Sequence, residues 1–189
     1  MSTYYLQPLI DELRVIWQSE PDVEQRMRKA KSLMERAVTN PELQARSREW
    51  PPTPGQNLLF YEDPDYGFVL NGVVRIPPYR GGVHDHAHSW TLYGVLDGTE
   101  MLERYDQIDD GSRPGFAELK LTSAAPGTPG VVDLVPPHAI HAERGGPTRS
   151  AALILRSVRV AGKAKLRMFD PERNSVTESP GLEQVPYEL

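Results

Sequence analysis

The chain has 189 residues, 39% of them hydrophobic, carries a formal net charge of −5 and contains no cysteine. That length accommodates one domain with a sizeable core, and the missing cysteines exclude disulfides, thiol nucleophiles and cysteine-ligated metal sites. Acidic and basic residues are interspersed, so no basic stripe offers itself to nucleic acid.

The N-terminus lacks a basic segment followed by an apolar run, so no signal peptide is expected. No stretch is apolar for long enough to suggest a membrane span. The expectation is a cytoplasmic protein without nucleic-acid or membrane partners. Residues 1–50 read as helical. Leu6, Leu9, Ile10, Leu13, Ile16 and Trp17 recur at three- and four-residue spacing, as do Val23, Met27, Ala30, Leu33, Met34 and Ala37, the pattern of two amphipathic helices. Between them Ser19 is a possible N-cap and Pro21 suits a first turn. A short helical piece is expected from about Pro41 to Trp50.

From Pro51 onward, glycine and proline punctuate short β-rich runs at 57–61, 68–76, 90–96, 100–105, 117–121, 131–135 and 151–160. Many short strands with turn signals predict an all-β sandwich or barrel over 51–169. Asp109, Asp110 and Gly111 mark a tight turn. The polar tail, 170–189, is expected to lie along the surface. The whole reads as one domain, mainly β with N-terminal helices.

Three histidines fall within five residues, His84, His86 and His88, just after Gly81 and Gly82. Alternate residues of an extended strand share a face, so His84 and His86 point at one spot. A Pro-Pro turn at Pro136 and Pro137 precedes another expected strand near His141, which offers a third imidazole. Three nitrogen donors suit a first-row metal and leave coordination positions open. His88 shares the same parity if the strand continues, as a further ligand or a residue at the pocket rim. His138 reads as an exposed turn residue, although it offers an alternative ligand.

The segment from Pro78 to Gly98, with His84-x-His86 and a glycine twelve residues beyond, resembles the first motif of the cupins. The segment from Asp133 to His141 resembles their second. The chain is similar to the cysteine dioxygenase-like (thiol dioxygenase) branch, and especially to bacterial metal-dependent double-stranded β-helix enzymes. The resemblance runs from the N-terminal helices through Asn57–Pro64, His84–His86 and Gly94–Gly98 to Ala151–Leu155, most of the chain. It implies a cupin barrel holding Fe(II) on His84, His86 and His141, with zinc or nickel able to take the same ligands. It also implies a small thiol and dioxygen as substrates and a sulfinate as product.

Where many cupins place a glutamate ligand, this chain has Thr91, which implies a neutral three-histidine face. The Ser-His-Tyr relay of the dioxygenases is replaced by Ala152, Ile154 and Arg156. The position of a carboxylate-binding arginine is Gln56, as in the mercaptopropionate-type subgroup, and no Cys–Tyr crosslink can form. Arg156 is left as a clamp for a substrate carboxylate or as half of an internal ion pair. Tyr93 is the aromatic residue expected to show a hydroxyl to the site, while Trp90 and Phe68 fill the core or wall. Arg75, Arg80 and Arg144 are expected near the barrel mouth, with surface charge the default. Two rivals accompany the thiol reading: a three-histidine dioxygenase cleaving a diketone-type substrate, and a metal-bearing cupin that binds a ligand without turnover.

Overall fold

The computed structural model describes residues 5–52 and 54–189. Three helices lead the chain: α1 (Gln7–Ser19), α2 (Val23–Val38) and α3 (Pro41–Ser47). Twelve strands follow: β1 (Gln56–Glu62), β2 (Val69–Arg75), β3 (Val83–His84), β4 (Thr91–Asp97), β5 (Glu100–Gln107), β6 (Leu119–Gly127), β7 (Val132–Val135), β8 (Ile140–Gly145), β9 (Ser150–Arg156), β10 (Leu166–Asp170), β11 (Ser175–Ser179) and β12 (Glu183–Pro186). They form two six-stranded sheets, β12-β1-β2-β9-β4-β7 and β11-β10-β3-β8-β5-β6. The inner part of that order, β2-β9-β4-β7 facing β3-β8-β5-β6, is the strand order of a jelly roll. The protein therefore has the expected cupin architecture, a double-stranded β-helix.

Strands β2 and β9 are buried at every position. A strand buried on both faces reads as a continuous apolar run, and each face here has its own cover. On the outside, Leu70, Leu92, Leu153 and Leu155 join Leu13, Trp17, Met27 and Met34 of the helices in one core. On the inside, Val73, Tyr93, Val95, Ala152 and Ile154 pack in the barrel. Gly94 allows the close approach of α2, since a Cβ there would stand 2.6 Å from Val38 Cγ1. Gly98 has φ +74°, and a Cβ on it would stand 2.3 Å from the carbonyl oxygen of Arg149. Only glycine makes that turn between β4 and β5.

Several expectations shift. Ser19 ends α1, its hydroxyl donating back to the Val15 carbonyl, and Asp22 caps α2 by accepting from the Gln25 amide at 2.8 Å. The connection after β5 is no tight turn but an excursion closed by the Ile108 amide donating to the Glu118 carbonyl. Strand β6 follows it, beginning within the expected run 117–121 but extending to Gly127, almost wholly exposed, so that its second half has no apolar alternation to reveal it. The tail does not merely lie on the surface. It adds β11 to the edge of one sheet and β12, parallel to β1, to the edge of the other.

Candidate metal centre

Adjacent strands β3 and β8 are paired at a single register position, His84 opposite His141. Cross-strand partners share a face, so both rings point into the barrel. His86 lies two residues past His84 and joins them. Asp85, between the two, is turned the other way and is buried, accepting from the Arg167 amide at 2.9 Å and its Nε at 2.7 Å. That clamp to β10 fixes the short segment carrying both histidines. Ring centroids are 4.7 Å apart for His84 and His86, 4.5 Å for His84 and His141, and 4.9 Å for His86 and His141.

A fourth donor completes the cluster. Glu143 stands two residues beyond His141 on β8, on the same face, and one ligand atom from each of His84, His86, His141 and Glu143 lies within 4.8 Å of all the others. Beside the three histidines expected to form a neutral face, the structure thus places a carboxylate that Thr91 does not supply, and it comes from β8 instead of β4. The His141-x-Glu143 alternation carried this signal in the sequence, but only the pairing of β8 with β3 gives it meaning. Thr91 is fully buried on the cavity wall and its hydroxyl has no hydrogen-bond partner.

His86, His141 and Glu143 are in the protonation states a cation requires. Burial pushes His86 well below the usual imidazole range and His141 to about 3, so both are neutral. Burial works against the Glu143 carboxylate, but His141, His84, Arg75 and Arg156 around it hold it at about 2. His84 places Nδ1 3.1 Å from the Gly82 carbonyl oxygen, which leaves Nε2 as its free donor atom. Both ring nitrogens of His141 and Nδ1 of His86 are buried without hydrogen-bond partners, although Glu143 Oε1 lies 3.2 Å from His141 Nδ1. Orphaned neutral nitrogens and a carboxylate converging in the protein interior are what a bound cation would satisfy. The residues fit a divalent metal.

Behind the cluster lies an ionic layer. Arg75, buried and not on the surface as its default assignment had it, reaches both Glu100 oxygens at 3.2 Å and Glu143 at 3.4 Å. Glu100 also accepts from the Ser150 hydroxyl at 2.6 Å and the Tyr93 hydroxyl at 2.7 Å. Tyr93 therefore lines the cavity with its hydroxyl already engaged by Glu100 and Arg75. Arg80 donates to the Gly145 carbonyl and Arg144 to Glu103 and the Gly81 carbonyl.

The cavity in front of the histidines holds about 100 Å³, against the roughly 10–15 Å³ that one water needs by the same measure. It suits a molecule of a few heavy atoms. Arg156 lines it, buried, donating to Asn71 Oδ1 at 2.8 Å. Burial lowers this guanidinium to about 10, against the attraction of Glu143 and Tyr93. No acidic side chain pairs with it among the described residues, so the internal ion pair weighed for Arg156 is not formed. Gln56 stands at the edge, donating to Glu183 at 2.7 Å. His88 is exposed because the strand ends at His84 and the backbone turns at Ala87, with φ 48°. It supplies no ligand. His138, with φ 61°, is an exposed turn residue.

No family model matches the chain, and no curated protein matches it. Solved structures give partial likenesses. One is a DMSP lyase, DddQ, from Ruegeria pomeroyi, at 16% identity and TM-score 0.36, covering 49% of this chain and 39% of that one. Another is an uncharacterized protein with a double-stranded β-helix domain from Klebsiella pneumoniae, at 17% identity and TM-score 0.42, covering 64% of this chain and 90% of that one. A third is an oxalate oxidase in complex with the substrate analogue glycolate, at 18% identity and TM-score 0.42, covering 56% and 53%. The chain spans less than two thirds of the lyase and of the oxidase. At these identities and scores the likeness assigns no activity. No helix among the described residues is long and apolar enough to cross a membrane.

Proposed function

We propose that the protein is a metal-dependent oxidoreductase in which His84, His86, His141 and Glu143 hold Fe(II), and that it oxidises a small thiol bearing a carboxylate. The overall change is RS⁻ + O₂ → RSO₂⁻, with both oxygen atoms going to sulfur. The carrying observation is a single small cavity with a four-donor cluster at one wall and an unpaired buried guanidinium, Arg156, at another.

Iron in this site would supply the binding of thiolate and dioxygen and the electrons exchanged between them. The chain's own residues do the rest. Arg156 takes the substrate carboxylate, an interaction strengthened by the burial of its guanidinium. Charge supports a doubly anionic substrate. The interior holds Arg75 and Arg156 against Glu100 and Glu143, a formal balance that a dication shifts by two positive charges and a thiolate plus carboxylate restores. Arg75 ties Glu143 to Glu100 and so holds the carboxylate donor in place. Tyr93 keeps its proton, since burial pushes its hydroxyl well above the usual range, and serves to orient Glu100.

A diketone-cleaving dioxygenase would ask a cavity base to remove a carbon-bound proton. Glu143 is the carboxylate at hand, but held at about 2 it is a poor base and a good metal donor. The decisive experiment loads the protein anaerobically with Fe(II) and offers thiols with and without a carboxylate. Oxygen uptake with one sulfinate formed per O₂, favouring the acids, is expected. Uptake only with diketones, or tight thiol binding without turnover, would replace this reading.

A further inference from the structure

Strand β12 brings one side chain into the cavity that none of the chemistry above uses. Gln184 is 9% exposed and lines the cavity, and its Nε2 donates to Asn71 Oδ1 at 3.3 Å. Arg156 Nη1 donates to the same oxygen at 2.8 Å. The orientation of Asn71 is fixed from behind, because its Nδ2 donates to the Leu58 carbonyl at 3.1 Å. With Asn71 presenting an acceptor, Gln184 must present its NH₂ group to it, which leaves the amide oxygen on the far side.

Two complementary atoms then remain without partners. Gln184 Oε1 and Arg156 Nε are both buried and form no hydrogen bond. Such groups are costly to leave unmatched in a folded protein. One is an acceptor on a neutral amide and the other a donor on a cation. They belong to residues that share one anchor oxygen and line one cavity, so a small molecule seated there is the partner open to both. It needs an anion for Arg156 and a hydrogen-bond donor close to that anion for Gln184.

We infer that Gln184 is a specificity-determining residue, selecting small acids that carry a hydroxyl or ammonium group beside the carboxylate held by Arg156. This rests on the cavity being the substrate site, and it narrows the substrate to hydroxy- or amino-substituted acids. It also gives the C-terminal strand a purpose beyond sheet closure, since the pairing of β12 with β1, from Gln56 opposite Glu183 to Leu59 opposite Pro186, is what holds Gln184 beside Asn57.

The test is calorimetric titration of the purified protein with propanoate, lactate, alanine and propanamide, its metal content being measured separately. Lactate should bind about three- to tenfold more tightly than propanoate, the range one neutral hydrogen bond supplies, alanine with its charged donor at least as tightly as lactate, and propanamide far more weakly. Gln184→Leu should erase the preference for lactate and alanine over propanoate. Arg156→Met should weaken all three acids together. Gln184→Glu should suppress acid binding by giving Arg156 an internal partner.

A preference for lactate that persists in Gln184→Leu reports metal chelation and overturns the assignment. So does equal loss of propanoate and lactate in that variant, binding of propanamide equal to that of propanoate, or no binding of any acid. A protein that discriminates lactate through Gln184 yet oxidises no thiol refutes the thiol oxidation and leaves this assignment standing. Thiol oxidation with discrimination unaltered in Gln184→Leu does the reverse.

Discussion

His84 and His141 are cross-strand partners, fixed opposite one another on β3 and β8 with ring centroids 4.5 Å apart. Fifty-seven positions of sequence separate them, and the pairing makes them neighbours. His138, three residues before His141, sits in the turn and faces solvent. His141→Ala should therefore abolish stoichiometric metal binding, while His138→Ala should leave it intact. Elemental analysis of the two purified variants decides this, and equal loss from both would remove His141 from the ligand set.

Glu143 either coordinates the metal or merely neighbours it. As a donor, its replacement in Glu143→Gln should weaken metal affinity by more than the roughly 10- to 100-fold that loss of a group merely hydrogen-bonded to a ligand costs. Competition with a chromophoric chelator measures the shift. Unchanged affinity would return the site to three histidines.

Arg75 stands between two buried carboxylates, Glu100 and Glu143. Arg75→Met leaves both without their cation, and breaking a buried pair from one side costs about 3–5 kcal/mol. Urea unfolding should show that loss. Arg75→Met combined with Glu100→Gln should recover part of it, because the carboxylate stranded by the first change is neutralised by the second.

Asp63 anchors the start of the barrel to α1. Its carboxylate accepts from the amides of Tyr66 and Asp65, the Tyr61 hydroxyl and Arg14. Burial raises its pKa, but these partners outweigh burial and lower it below 3.8. A carboxyl lowered on folding adds stability above its unfolded value, and that contribution disappears as the pH falls through the folded value. Asp63→Asn should cost about 1.5–3 kcal/mol at neutral pH. The difference from the parent should shrink as the pH drops below 3.8, read from unfolding curves across pH 2–7. A gap independent of pH would show that the charge on Asp63 contributes nothing.

Local patterns in the chain were enough for several conclusions. The apolar spacing of α1 and α2, the runs that became β1, β2, β4 and β9, and the His84-x-His86 pair each report a physical constraint acting within a few residues. Proline and glycine placement disclosed the barrel, and Gly98 its turn. Three features lay beyond that reach. Glu143 looks like any strand glutamate until β8 is laid against β3. Strands β11 and β12 are polar edge segments, held by backbone pairing that leaves little trace in side-chain pattern, and β10 is placed by its pairing with β3 and β11. Arg156 reads equally as clamp or ion pair until the folded barrel shows that, among the described residues, no carboxylate closes to ion-pair distance of it. Short-range periodicity is written in residue order, whereas cross-strand register and the company of a buried charge depend on closing long loops, and so only the folded barrel decided them.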